Sequence, residues 1–185
     1  MRIPHSDDGE LVERARQGDR AAFGRLVERY AGAVRRVTRA VLRDPDDADD
    51  AAQDAFLAAW RGLGRVDPRR PFAPWLLRVA VNAALDRTRR RTVRRTEPLD
   101  DTAPGEGSLP DRETERSLMR ERLSEALDDL PPRQRAAVVL FEVEGFAHAE
   151  IAAILGVPEG TVRSDVHHAR RRLRATLADW KEREG

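Results

Sequence analysis

Thr161, Arg163, Ser164, His167 and Arg171 fall in one short basic stretch. Arginine can grip a guanine edge with two hydrogen bonds, and serine or threonine can pair with any base. Placed near the start of a helix, such side chains read base edges in a DNA major groove. The spacing supplies that helix. Val162, Val166, Ala169, Leu173 and Leu177 recur at three- and four-residue steps, which gives one buried face. Arg163, His167, Arg171 and Arg174 lie away from it. Upstream, Ile151, Ala152 and Leu155 mark a short first helix, followed by Gly156 and Pro158. Glycine suits the left-handed exit of a helix and proline the first turn of the next. The pattern is helix, tight turn, basic helix. The competing reading is a plain amphipathic hairpin with solvated arginines. Ala147 favours that reading slightly, since a side-chain cap there would be worth ~1 kcal/mol.

A second constellation lies in the first half. Arg69, Arg70 and Phe72 precede a helix carrying Arg78, Asn82 and Asp86 at four-residue steps, then Arg89 and Arg90. Arginines beside aromatics suit a strand with unstacked bases, and an asparagine amide can pair with adenine. Asn82 could equally be a core asparagine with a satisfied amide. Trp75 and Trp60 could instead be core packing residues, and for Trp60 that reading is preferred. The third constellation is acidic: Asp44, Asp46, Asp47, Asp49, Asp50 and Asp54, with Gln53. A helix dipole favours two or three acids at its start. Six exceed that need and point to a docking surface for a basic partner, or to a divalent-metal site. No calcium-loop spacing or neighbouring histidine supports the metal.

No catalytic set emerges. Ser164 has His167 and His168 near it but no third orienting group. His167 and His168 are expected on different faces, which disfavours a two-histidine metal clamp. We expect no catalytic residue, no metal and no cofactor. The chain has no cysteine, which excludes disulfides and thiolate metal sites. No apolar run approaches the ~20 residues of a membrane helix, and Met1–Asp8 shows no signal-peptide core. A soluble, cytoplasmic chain without membrane insertion is expected. The formal net charge is only +1, but it is unevenly spread. Residues 64–95 hold ten arginines against two aspartates, while residues 96–130 hold four arginines against eleven acids. Two basic patches suited to phosphate therefore flank an acidic stretch.

The elements that must position these residues all read as helix. Gly18 stops a first helix over 7–17, with Glu10 placed to close a capping box on Asp7, and Asp19 can cap a second. Asp44-Pro45 separates the second from a third, whose inward face carries Ala48, Ala52, Ala55, Phe56, Ala59, Trp60 and Leu63. A fourth runs from about Pro74 to Arg91, with Leu76, Val79, Ala80 and Ala83 inward. Residues 96–110 hold three prolines, two glycines and four acids without an apolar period, and read as a linker. Helix resumes near Asp111, and Pro131-Pro132 starts another that ends at Gly145. The expected fold is all-α, with two modules of roughly 90 and 70 residues, each large enough for one modest core.

The chain also resembles a known family. Gly-Asp-Arg-Ala-Ala-Phe at 18–23, Asp-Ala-Asp-Asp-Ala-Ala-Gln-Asp-Ala-Phe at 47–56 and Pro-Phe-Ala-Pro-Trp-Leu-Leu-Arg-Val-Ala-Val-Asn at 71–82 are similar to region 2 of bacterial RNA polymerase sigma factors of the extracytoplasmic-function group. Leu-Pro-Pro-Arg-Gln-Arg at 130–135 and residues 150–164 are similar to region 4. The resemblance implies region 2 over 5–95, a linker over 96–113 and region 4 over 114–180. It implies docking of Asp49, Asp50, Gln53, Asp54 and Trp60 on the clamp of the polymerase's largest subunit. Arg69, Arg70, Phe72, Arg78, Asn82, Arg89 and Arg90 would melt and read the proximal promoter element. Thr161, Arg163, Ser164, His167 and Arg171 would read the distal element. The implied partners are core RNA polymerase, including the flap of its second-largest subunit, promoter DNA and an anti-sigma factor. A stand-alone helix-turn-helix regulator is the alternative. Asp165 and His168 depart from the family, which often has arginine at both positions.

Overall fold

The computed structural model describes residues 8–94 and 122–184. Among these, all regular structure is helical. In the first half, α1 (Asp8–Arg16), α2 (Arg20–Val41) and α3 (Pro45–Gly62) lead through a 3₁₀ turn at Leu63–Arg65 to α4 (Phe72–Arg94). The second half contains α5 (residues 122–128), α6 (Pro132–Glu142), α7 (His148–Leu155) and α8 (Glu159–Glu184). The 96–113 linker, the helix start near Asp111 and the capping role given to Asp7 lie outside the described residues.

Local chemistry sets the boundaries. Gly18 exits α1 at φ +93°. The Asp19 carboxylate accepts from the Ala21 and Ala22 N–H groups at 2.9 and 3.0 Å and starts α2. Asp44 does the same for α3, accepting from Asp46 and Asp47 at 3.0 and 3.1 Å, with Pro45 in the first turn, where its missing N–H costs nothing. Helix α4 begins two residues earlier than the sequence suggested, because Pro74 is tolerated inside a first turn.

The core of the first half joins Leu26, Tyr30, Val34 and Val37 of α2 to Ala52, Ala55 and Ala59 of α3 and Phe72, Leu76 and Ala80 of α4. The inward face of α3 is almost all alanine, which lets neighbouring backbones approach closely. Phe56 and Trp60, expected fully inward, are half-buried at its margin. On α4, Leu77, Val81 and Ala84 are buried, whereas Val79 and Ala83 are only partly so. The reason is that α4 packs on α2 and α3 and also on α7, so its apolar face is broader than one stripe.

The two halves share their main core, while a smaller cluster of Leu130, Val138 and Ala169 is confined to the second. Leu140, Phe146, Ile151, Ile154, Val162 and Val166 of the second half belong to the same apolar cluster as Tyr30 and Phe72. Helix α2 packs on α6, and α4 on α7. At this seam Glu144, 1% exposed, accepts from Arg36 Nε and Nη2 at 2.6 and 3.2 Å. Arg43 also donates to the Asp128 carbonyl. Modules this small bury their apolar surface incompletely alone, and each covers the other.

Candidate nucleic-acid interface

The helix-turn-helix is built by three devices. Ala147 offers no side-chain cap, but the Glu150 carboxylate accepts from the Ala147 N–H at 2.8 Å. This is half of a capping box, and it compensates for the cap that Ala147 lacks. Gly156 ends α7 at φ +69°, and its N–H and that of Val157 return to the Ala152 carbonyl at 2.9 and 3.2 Å. Helix α8 then seats Val162, Val166 and Ala169 in the core. The buried pair of α7 is Ile151 and Ile154, with Ala152 and Leu155 at its edge.

This seating turns Arg163, Ser164, His167 and Arg171 to solvent, with Thr161 half-buried beside them. Arg163 is drawn back along the helix by Glu159 at 2.6 Å. With His148, Arg170 and Arg174, the residues Arg163, His167 and Arg171 line one shallow basic groove. The sequence did not single out His148 or Arg170. His148 stacks on Phe141 at 4.6 Å between ring centroids, and the Arg170 guanidinium lies 4.9 Å from the same ring while pairing with Glu142. One aromatic ring thus ties the start of α7 to the middle of α8. His167 and His168, expected on different faces, are both exposed, with rings 5.8 Å apart. Asp165 is 4% exposed. Arg133 Nε and Nη2 donate to it at 2.7 and 3.4 Å.

On α4, Arg78, Asn82, Arg89 and Arg90 are all exposed, so Asn82 is not a core residue. Arg69 and Arg70 project from the preceding loop. Arg69 donates to Asp67, which holds the Asp67 carboxyl below its usual range and cancels part of the loop's positive charge. Phe72 is a correction: it is 1% exposed and packs on Tyr30 and Trp75 at 5.7 and 5.5 Å between centroids. The first residue of α4 points into the core, so no base can stack on it here.

The acidic helix is partly neutralised from within. Arg87 of α4 reaches Asp47, Asp50 and Asp54 at 3.5, 2.7 and 3.0 Å. Asp49 lies 3.9 and 3.6 Å from Arg35 and Arg39 of α2. Gln53 is exposed, and Trp60 packs on Phe23 at 4.9 Å. Part of the acidic excess therefore answers Arg87, which follows 33 or more residues later, and two arginines of the preceding helix, which local spacing cannot reveal. Asp54 and Leu57 of α3 share a groove with Asn82 and Arg90 of α4, so residues assigned to polymerase and to DNA meet there.

Residues 26–94 match the family model for sigma-70 region 2, and residues 120–173 that for sigma-70 region 4. The ECF RNA polymerase sigma factor SigM of Mycobacterium tuberculosis is 42% identical over 92% of this chain and 84% of its own length. The RNA polymerase sigma-H factor of Pseudomonas aeruginosa is 33% identical over 95% of this chain and 96% of its own. The RNA polymerase sigma factor CnrH of Cupriavidus metallidurans is 33% identical over 94% of this chain and 96% of its own. The solved structure of CnrH in complex with the cytosolic domain of CnrY superposes with a TM-score of 0.69 at 31% identity, covering 93% of this chain and 97% of that one.

Proposed function

Because the chain belongs to the extracytoplasmic-function group of the sigma-70 family of RNA polymerase subunits, we propose a division of labour among its faces in promoter-specific transcription initiation. Helix α3 docks on the clamp of core polymerase through Asp49, Asp50, Gln53 and Asp54, with Trp60 supporting that face from its half-buried site. Arg69, Arg70, Arg78, Asn82, Arg89 and Arg90 hold and read the proximal element. Phe72 serves this surface from below, as the core residue that seats α4. Thr161, Arg163, Ser164, His167 and Arg171 read the distal element, with His148, Arg170 and Arg174 adding phosphate contacts. The region division is 5–95 and 114–180, joined by the 96–113 linker, and the second module meets the polymerase flap.

The observation that carries this reading is the open basic face of α8, on a chain whose first half matches region 2. A stand-alone regulator would leave that match without a task. The role is regulatory rather than enzymatic and belongs in the cytoplasm with polymerase and DNA. No helix among the described residues is long and apolar enough to cross a membrane. CnrH is held by the cytosolic domain of a second protein, which supports a protein inhibitor of the anti-sigma class for this chain as well.

Run-off transcription with core polymerase tests the whole. The docking assignment is tested by Asp50→Lys with Asp54→Lys, which reverses the exposed charge and repels Arg87. Affinity for core polymerase should fall at least tenfold while circular dichroism stays unchanged. Undiminished co-elution with core would remove α3 from the interface.

A further inference from the structure

Asp165 is the only acid between Glu159 and Asp179, and it stands within the helix that carries the basic reading face. It does not lie on that face. It shares the buried side of α8 with Val162, Val166 and Ala169. A carboxylate in an apolar stripe has two outcomes. It is paired where it stands, or the helix turns to return it to water. Here the partner comes from another element. Arg133, in the first turn of α6, donates two hydrogen bonds to Asp165, and the bond to the carboxylate holds the Arg133 guanidinium above its ordinary pKa. The Arg133 side chain is itself 54% exposed, so the pair sits at the edge of the core, next to the exposed Ser164.

We propose that Arg133 is a positioning residue for distal-element reading: by pairing with Asp165 it fixes the rotation of α8 and keeps a negative charge off the DNA-facing surface. The inference rests on the assignment of α8 as the distal-element reader. Two physical effects act together. The forked guanidinium resists rotation of α8 about its axis, which keeps Arg163, Ser164 and His167 facing outward. The pair also has no net charge, so the surrounding arginines act on phosphate undiminished. Without Arg133, Asp165 either remains unpaired in the core or swings towards the groove, where it repels DNA.

The test uses the holoenzyme of the full chain with core polymerase. Wild-type holoenzyme selects a distal element from a randomised duplex library. Variants are measured by anisotropy on that duplex and on a scrambled one, across a salt series. Absence of run-off from wild type overturns the sigma reading itself, before any variant is compared. Arg133→Ala should bind the selected duplex at least tenfold more weakly, with circular dichroism and core affinity unchanged. Adding Asp165→Ala to it should restore binding to within about threefold, because the repelling charge has gone. Arg133→Lys keeps the charge but lacks the fork. It should hold affinity for scrambled DNA while preference for the selected element falls several-fold, a ratio that general loss of stability would not change. The proposal is overturned if Arg133→Ala binds like wild type. It is also overturned if the double variant stays as weak as Arg133→Ala, which would make Arg133 a direct phosphate contact, or if Arg133→Lys keeps full preference.

Discussion

At the scale of single residues, a buried polar cluster ties the start of α1 to α2. Asp8, 4% exposed, accepts from the Tyr30 phenol and from Arg29. Burial first, and then the bond to Asp8, holds the Tyr30 phenol well above its usual pKa near 10. A group whose folded pKa is raised stabilises the fold below its unfolded pKa, and that stabilisation is lost as pH climbs above it. Tyr30→Phe should therefore cost about 1.5–3 kcal/mol at neutral pH, the value of a hydrogen bond to a charged group. It should also flatten the alkaline loss of stability. Thermal melts from pH 7 to pH 11 check both, and an alkaline limb as steep as in the wild type would clear Tyr30 of the effect. In the sequence, Asp8 reads only as an acid at a helix start, where the dipole welcomes it. Its partners stand 21 and 22 positions away. Phe72 departs from expectation for a related reason: an aromatic among arginines suggests stacking on bases, and local sequence does not say which way it faces.

At the scale of elements, the turn between α7 and α8 sets the angle at which α8 leaves α7. Gly156 holds φ +69°, and a Cβ there would meet nothing within 4 Å. Only the backbone penalises a side chain at this site. Gly156→Ala should then cost about 1–2 kcal/mol, seen as a lower denaturation midpoint, and should weaken distal-element binding if the turn relaxes to relieve the strain. A midpoint equal to that of the wild type would contradict the left-handed assignment. Helix starts and stops were well written in the sequence, because Asp19, Asp44, Gly18 and Gly156 act on neighbours within four residues. Faces were less legible. An apolar stripe predicts burial against one neighbour, and α4 has three major ones.

At the scale of the molecule, the seam was the least legible feature. The Arg36–Glu144 pair spans 108 positions, and Glu144 reads in sequence as an ordinary acid at a helix end. Arg36→Ala would leave Glu144 buried and unpaired, and the cheapest relief is to part the halves and rehydrate the carboxylate. Small-angle scattering should show the variant with a larger radius of gyration than the wild type. Glu144→Gln, which can still accept from Arg36, should stay compact. Equal radii for Arg36→Ala and wild type would mean that the apolar contacts alone close the seam. Those contacts have a consequence for the integrity of the chain. A protease cutting between residues 95 and 121 would break the covalent link without dividing the particle. The halves would travel together as a two-piece protein, so size exclusion would report an intact molecule where a denaturing gel reports two bands.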